Sequence, residues 1–143
     1  MEKKRSVGVT VYGVILMILG LWSMHRMRTW TIPDIVKFGI GQCLLYPLLR
    51  GPLIKSVIHN VFFVASFSVL SLRNWARMTV LWLSFIAITN EVMYIFGVIS
   101  EREAYSYYVY TIMRPLYFGV MWILLYACII IFFRLPTIKE QFK

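Results

Sequence analysis

Charged residues, and acids above all, are scarce in this sequence. The chain of 143 residues has only 6 Asp and Glu against 15 Lys and Arg, and charged residues make up 15% of it. A soluble domain of this length would carry roughly a quarter charged residues. The chain is also 60% hydrophobic, with a mean hydropathy of +0.73. These values exclude an ordinary soluble domain and predict one compact integral membrane unit over residues 1–143.

Motifs that carry chemistry are absent as well. The sequence contains no GxxxxGK[ST], HExxH, CxxC or GxSxG, so nucleotide, zinc-protease, thiol-redox and hydrolase functions have no support. The 2 cysteines, Cys43 and Cys128, lie in apolar stretches without a partner motif and are interpreted as packing residues. We therefore expect no enzymatic activity, no catalytic residue, no cofactor and no metal site.

The net charge of +9 invites a nucleic-acid interpretation. The cations are scattered at the ends of apolar runs, however, and do not cluster on one face. Basic residues that flank membrane spans contact anionic headgroups and set topology. We therefore expect membrane lipids, and no nucleic acid, as partners.

Apolar runs long enough to cross a membrane predict an all-α fold, a polytopic bundle of four transmembrane helices. The predicted spans are residues 7–24, 55–72, 77–99 and 115–133. Residues 35–49 predict a short interfacial or re-entrant helix, although a fifth crossing by this segment stays open, and the turn signal at 50–53 is expected to end it. The tail after residue 133 is expected to form at most a turn, in which Thr137 and Glu140 have capping-box spacing.

Topology follows from the residues between the spans. Arg73, Trp75 and Arg77 form a short basic turn with an interfacial indole, which is typical of a cytoplasmic loop, and Arg114 is expected at headgroup level. With four spans, both termini then lie in the cytoplasm, and the chain is expected to be a multi-pass protein of the cell inner membrane. The cations are almost evenly divided between the two sides, so this bias is small.

A stripe of small residues marks one face of the first span. Thr10, Gly13 and Gly20 recur at helical spacing, and small residues let helix backbones approach closely in lipid. The stripe is compatible with a dimer seam or with packing inside the monomer. We favour packing inside the monomer, because the chain has other spans for the first helix to contact.

One constellation carries chemistry. Glu91 is an acid deep inside an apolar run, and Asn90 precedes it. If the second and third spans form a hairpin about Trp75, then His59 and Asn60 lie at the same depth as these two residues. In the structural interpretation, Glu91 is neutral or hydrogen-bonded to Asn60 or His59, and this polar layer sets the register of the helices. In the functional interpretation, the residues at this depth bind a proton, an ion or a polar ligand.

Three short segments resemble a known group of proteins. Arg5-Ser-Val-Gly-Val-Thr, Leu72-Arg-Asn-Trp-Ala-Arg77 and Pro136-Thr-Ile-Lys-Glu-Gln-Phe142 are similar to signatures of small uncharacterised prokaryotic membrane proteins with four helices. The resemblance implies topology alone, since the group brings no activity, ligand or catalytic residue.

The sequence favours two functional hypotheses over a third. The first is a small non-enzymatic accessory or structural subunit with a protein partner. The second is a small carrier or channel-like homo-oligomer that uses the Glu91/His59 level. A membrane enzyme acting on a lipid is the least supported alternative, because no catalytic motif accompanies it.

Overall fold

A computed structural model describes residues 6–41, 47–100 and 109–142, with the side chains of 30, 34, 47–52 and 109–115 left outside the description. Within these ranges the chain is helical and contains no strand. The elements are α1 (Val7–Arg26), a π-helical turn (Met27–Thr31), α2 (Ile32–Phe38), α3 (Pro47–Leu70), α4 (Asn74–Ser100), α5 (Val109–Arg134) and α6 (Pro136–Gln141).

Four of these helices are long and apolar enough to cross a membrane, over Val7–Thr29, Leu53–Leu70, Asn74–Ser100 and Leu116–Arg134. The predicted fold class, an all-α bundle with four candidate spans and a short extra helix, is confirmed. We call the end of the bundle where α1 begins and α5 ends the proximal end, and the opposite end the distal end.

The first helix continues further than the polar residues after Met24 indicate. Ser6 caps its start, since the Val9 backbone N–H donates to the Ser6 Oγ at 3.4 Å. The chain stays helical through the π-turn into α2. This helix ends at Gly39, which has a φ of +78°, a value that glycine adopts without strain. The predicted interfacial helix over 35–49 thus begins within α2, and its residues 42–46 lie outside the described part.

The helix α3 begins at Pro47 and runs through the predicted turn at 50–53. That prediction was wrong although Gly51 and Pro52 lie in the second turn of the helix, where Pro52 removes one backbone hydrogen bond. The packing of the long apolar helix that follows outweighs this local cost. The helix ends in a Schellman motif. Arg73 donates its N–H to the Ser68 carbonyl, Leu72 donates to Val69, and Leu72 adopts a φ of +56°.

The spans form a closed ring in which each is antiparallel to its neighbours. The backbones of α1 and α3, of α3 and α4, and of α4 and α5 pack against each other. Aromatic side chains close the ring between α1 and α5: Tyr12 stacks on Phe132 with ring centroids 4.1 Å apart, and Trp22 stacks on Trp122 at 5.9 Å. The first and last spans are thus neighbours, as expected of an up-down-up-down bundle.

An apolar core fills the proximal and central parts of this ring. Its fully buried members come from all four spans and include Val9, Leu16, Phe62, Val69, Val80, Ile129 and Phe133. Two serines inside this region are satisfied by their own helices, since Ser66 donates to the Phe63 carbonyl at 2.6 Å and Ser84 to that of Val80 at 2.7 Å.

The proximal end is closed by the tail. The tail forms the short helix α6, where only a turn was expected, and Leu135 rather than Thr137 occupies its N-cap position. Ile138 and Phe142 are buried, and Phe142 packs edge-on against Phe133. The tail folds because two apolar side chains four residues apart share one face and bury together.

Candidate functional site

The centre of the candidate site is an ion pair between α3 and α4. Lys55 Nζ lies 2.6 Å from Glu91 Oε1, and the two side chains are only 13% and 2% exposed. The same ammonium group lies 4.7 Å from the centroid of the Trp122 ring on α5, a cation–π contact. Three helices therefore meet at one buried charge pair.

The backbone of α5 leaves room for this carboxylate. A Cβ placed on Gly119 would lie 3.7 Å from Glu91 Oε2 and 3.0 Å from the Ile95 side chain. Glycine at this position lets α5 approach α4 closely, so Glu91 is enclosed by its own helix, by α3 and by α5.

The sequence-based partner of Glu91 is corrected by this geometry. We expected Asn60 or His59, because the hairpin was centred on Trp75. The turn instead lies at Leu72, between the end of α3 and the start of α4. Counted from Leu72, the residue level with Glu91 falls within one helical turn of Lys55, whose long side chain covers the difference.

His59 takes a different partner. Its Nε2 lies 2.7 Å from the Tyr126 hydroxyl and shares a hydrogen bond with it, and both side chains are buried. The imidazole also packs against Trp122, with ring centroids 5.0 Å apart. The second and fourth spans, diagonal to each other in the ring, thus meet across the bundle axis.

Asn60 faces α1 instead of α4. Its Nδ2 lies 3.4 Å from Met27 Sδ, and its buried Oδ1 has no hydrogen-bond partner within the described structure. One turn earlier in α3, the Ser56 carbonyl accepts a hydrogen bond from Ser23 Oγ at 3.1 Å. Asn90 is buried on α4 beside Glu91. The described contacts thus direct Asn60 towards α1 and Glu91 towards Lys55, so these two predicted partners are not brought together.

The glycines of the small-residue stripe lie against the second span of the same chain. A Cβ on Gly13 would come within 2.6 Å of the Leu70 side chain, and one on Gly20 within 2.9 Å of the Phe63 Cα. Thr10, the third member of the stripe, is exposed. The contacts between α1 and α3 are those of packing inside the monomer.

The residues predicted to lie at the membrane interface differ in their exposure in the structure. Arg73 and Trp75 are exposed at the proximal turn. Arg77 is only 7% exposed, and it donates hydrogen bonds to the Phe133 carbonyl and to Asn74 Oδ1, each at 3.2 Å. It therefore caps the end of α5. The side chain of Arg114 lies outside the described part.

Sequence reasoning missed Lys55, Trp122 and Tyr126 as members of the site. Lys55 is the first residue of the predicted span 55–72, where a cation is ordinarily expected to contact headgroups. A usable signal existed: Lys55 and His59, like Trp122 and Tyr126, are four residues apart and so share one helix face. Polar-tipped residues repeated in this way on two spans favour a contact between them.

We name Lys55, His59, Glu91, Trp122 and Tyr126 the polar layer. Lys55 lies roughly 22 Å along α3 from its proximal end, at ~1.5 Å per residue, so the ion pair lies in the distal half of the bundle. Tyr126 extends the layer to the middle of the bundle. The apolar core separates the ion pair from the proximal end. Among the described residues, no group of three or more His, Cys, Asp or Glu could hold a metal ion. The layer can hold charge and exchange hydrogen bonds with a polar group.

Comparison with protein families, with curated proteins and with solved structures gave no match for this chain.

Proposed function

We propose that this chain is a small non-enzymatic membrane protein that acts as an accessory or structural subunit of a larger membrane assembly. The observation that carries the proposal is the Lys55–Glu91 ion pair. A buried charge that already has its counter-charge inside the chain needs no ligand to be stable, and removing one partner would be costly. The pair therefore serves to fix which faces of α3, α4 and α5 meet.

The outer surfaces of the helices support a role in assembly. In the most apolar 18-residue stretches of α1, α4 and α5, only 28% of the residues are buried within the chain. On α4, Trp82 and Phe96 are 64% and 65% exposed and share one face. Such a face contacts lipid or a neighbouring helix, and large aromatic side chains are common anchors of helix contacts.

The experiment is native mass spectrometry of the tagged full chain, released from its own membrane in a mild detergent. We expect a hetero-complex of constant stoichiometry. Trp82→Leu should weaken that complex, whereas Trp75→Leu, which removes an indole that is 50% exposed at the proximal turn, should not. Release of the chain only as a monomer or a homo-oligomer would contradict the proposal.

A second candidate is a small carrier or channel-like homo-oligomer that binds a proton, an ion or a polar ligand at the Glu91/His59 level. It is favoured by the meeting of three ionisable side chains, Lys55, His59 and Glu91, in one layer. Ionisable residues inside a membrane often mark ion or substrate pathways. The apolar core on the proximal side argues against it, since a passing ion would have to part that core.

This candidate is tested by flux into liposomes that contain the purified chain. Glu91→Gln should abolish an ion- or pH-dependent flux, and Glu140→Gln, which neutralises an exposed acid, should leave it unchanged. Absence of flux with the unaltered chain, over the ions and pH values tested, would contradict this candidate.

We further propose the cell inner membrane as the location, with both termini in the cytoplasm. Arg73, Arg134 and Lys139 are exposed at the proximal end, and cations near span ends favour the cytoplasmic side. A C-terminal reporter that is active only in the cytoplasm should therefore be active. A reporter that is active only outside the cytoplasm would reverse this orientation.

A further inference from the structure

Two stacked indoles mark the distal part of the seam between α1 and α5. The ring centroids of Trp22 and Trp122 lie 5.9 Å apart, with 22° between the ring planes. A cationic side chain lies over each indole ring. The Arg26 guanidinium is 5.6 Å from the Trp22 ring centroid, and Lys55 Nζ is 4.7 Å from the Trp122 ring centroid. Trp22 is 45% exposed. The stack therefore leads from the outer surface of the bundle to the polar layer.

The charges at this seam do not balance among the described side chains. Lys55 is paired with Glu91, while the described close contact of the Arg26 guanidinium is with the Trp22 ring. Arg26 is nevertheless close enough to act electrostatically on Lys55, His59 and Glu91. Among the described side chains, two cations thus share one carboxylate beside an apolar surface, and this local excess of positive charge favours an anion.

We propose that this seam binds the phosphate of one anionic phospholipid from the distal leaflet, with Arg26 as the residue that contacts the phosphate. A guanidinium group matches the planar, two-point geometry of phosphate oxygens. This inference goes beyond the proposed function and does not depend on it.

The position of the seam favours a lipid over a free anion. Arg26 lies within one helical turn of Thr29, where the candidate span ends, so in a membrane it lies near headgroup depth, where indoles are also common. Ile18 lies one turn further into the span on the same side of α1 as Trp22, and it is 59% exposed. An acyl chain attached to the bound phosphate would meet this apolar side chain.

The test measures lipid retention on the full chain by native mass spectrometry in detergent. Phosphatidylglycerol is titrated against phosphatidylcholine with the same acyl chains, and inorganic phosphate serves as the free anion. We expect retention of one phosphatidylglycerol in preference to phosphatidylcholine. Arg26→Gln should weaken this retention about fivefold, the effect of one cation near a membrane surface.

Arg28→Gln is the matched control, since Arg28 is an exposed cation at the same end of the bundle. It should leave retention unchanged, and so should Trp75→Leu, whereas Trp22→Leu should weaken retention. Equal losses in Arg26→Gln and Arg28→Gln, or no preference for phosphatidylglycerol, would overturn the proposal. Displacement of the lipid by inorganic phosphate would assign the seam to a free anion and would also overturn it.

Discussion

The Lys55–Glu91 pair makes the most decisive stability prediction. Lys55 Nζ and Glu91 Oε1 are 2.6 Å apart, and both side chains are largely shielded from solvent. At an effective dielectric constant of about 20, their attraction is about 6 kcal/mol, which offsets a desolvation cost of several kcal/mol for each ion. The net contribution of the pair is therefore small, although each charge depends strongly on the other.

Removing one partner should be far more harmful than removing both. We expect Lys55→Met to lower the free energy of unfolding by about 3–5 kcal/mol, because Glu91 is then buried without the ammonium group that it contacts. Glu91→Met should cost less, by about 1–2 kcal/mol, because Lys55 keeps its cation–π contact with Trp122. The double variant should lie within about 1 kcal/mol of the unaltered chain, since Met fills the space without charge.

The assay is reversible unfolding of the purified chain in mixed micelles with an increasing fraction of denaturing detergent, followed by tryptophan fluorescence. Lys139→Met is the matched control, because it removes an exposed lysine and should change stability by less than about 0.5 kcal/mol. If the effects of the two single substitutions were additive in the double variant, the two charges would not be coupled. The assignment of the pair as the lock between α3 and α4 would then be refuted.

Three further stability predictions use the same assay. Gly20→Ala should destabilise the bundle by about 2 kcal/mol or more, because its Cβ would meet the backbone of α3 at 2.9 Å. Gly41→Ala is the control and should have little effect, because there is open space around Gly41. Equal effects of the two substitutions would contradict the close approach of α1 and α3. Tyr126→Phe should cost about 1–3 kcal/mol, since it removes the hydroxyl that shares the 2.7 Å hydrogen bond with His59, and an unchanged midpoint would show that this bond is not formed. Arg77→Met should lower stability by about 1–3 kcal/mol through loss of the 3.2 Å bond to the carboxyl end of α5, and Arg73→Met, which removes an exposed arginine, is its control.

The helices could be predicted from the sequence, but several of their ends could not. Long apolar runs identify the four spans because a ~30 Å hydrocarbon layer requires about 20 apolar residues. The polar segment after Met24 and the turn signal at 50–53 were misleading. In the structure, α1 continues into a π-turn and α3 begins at Pro47. Local turn preferences are weak where the helix continues into a packed span.

Of the candidate site, the sequence revealed the acid but not its partner. Glu91 was identified because an acid inside a span is costly. Lys55 was not, because the hairpin turns at Leu72, a leucine with a φ of +56°, where sequence patterns give no glycine to mark the turn. Moving the centre of the hairpin from Trp75 to Leu72 moves the residue level with Glu91 from position 59 to position 53. This shift of about 9 Å along α3 is enough to exchange one partner for another.

The distribution of polarity along the bundle constrains what the chain can do. The Lys55–Glu91 pair lies in the distal half. Leu16, Phe62 and Ile129, all fully buried, occupy the ring on its proximal side. A charged group that moved from Glu91 towards the proximal end would lose its hydrogen bonds and enter close-packed apolar surroundings, at a cost of several kcal/mol without compensation. Among the described residues, the buried charge pair is therefore confined to the distal half of the bundle. This asymmetry favours an interaction at the distal leaflet over passage through the bundle, and it is the physical reason for preferring the accessory-subunit proposal to the carrier.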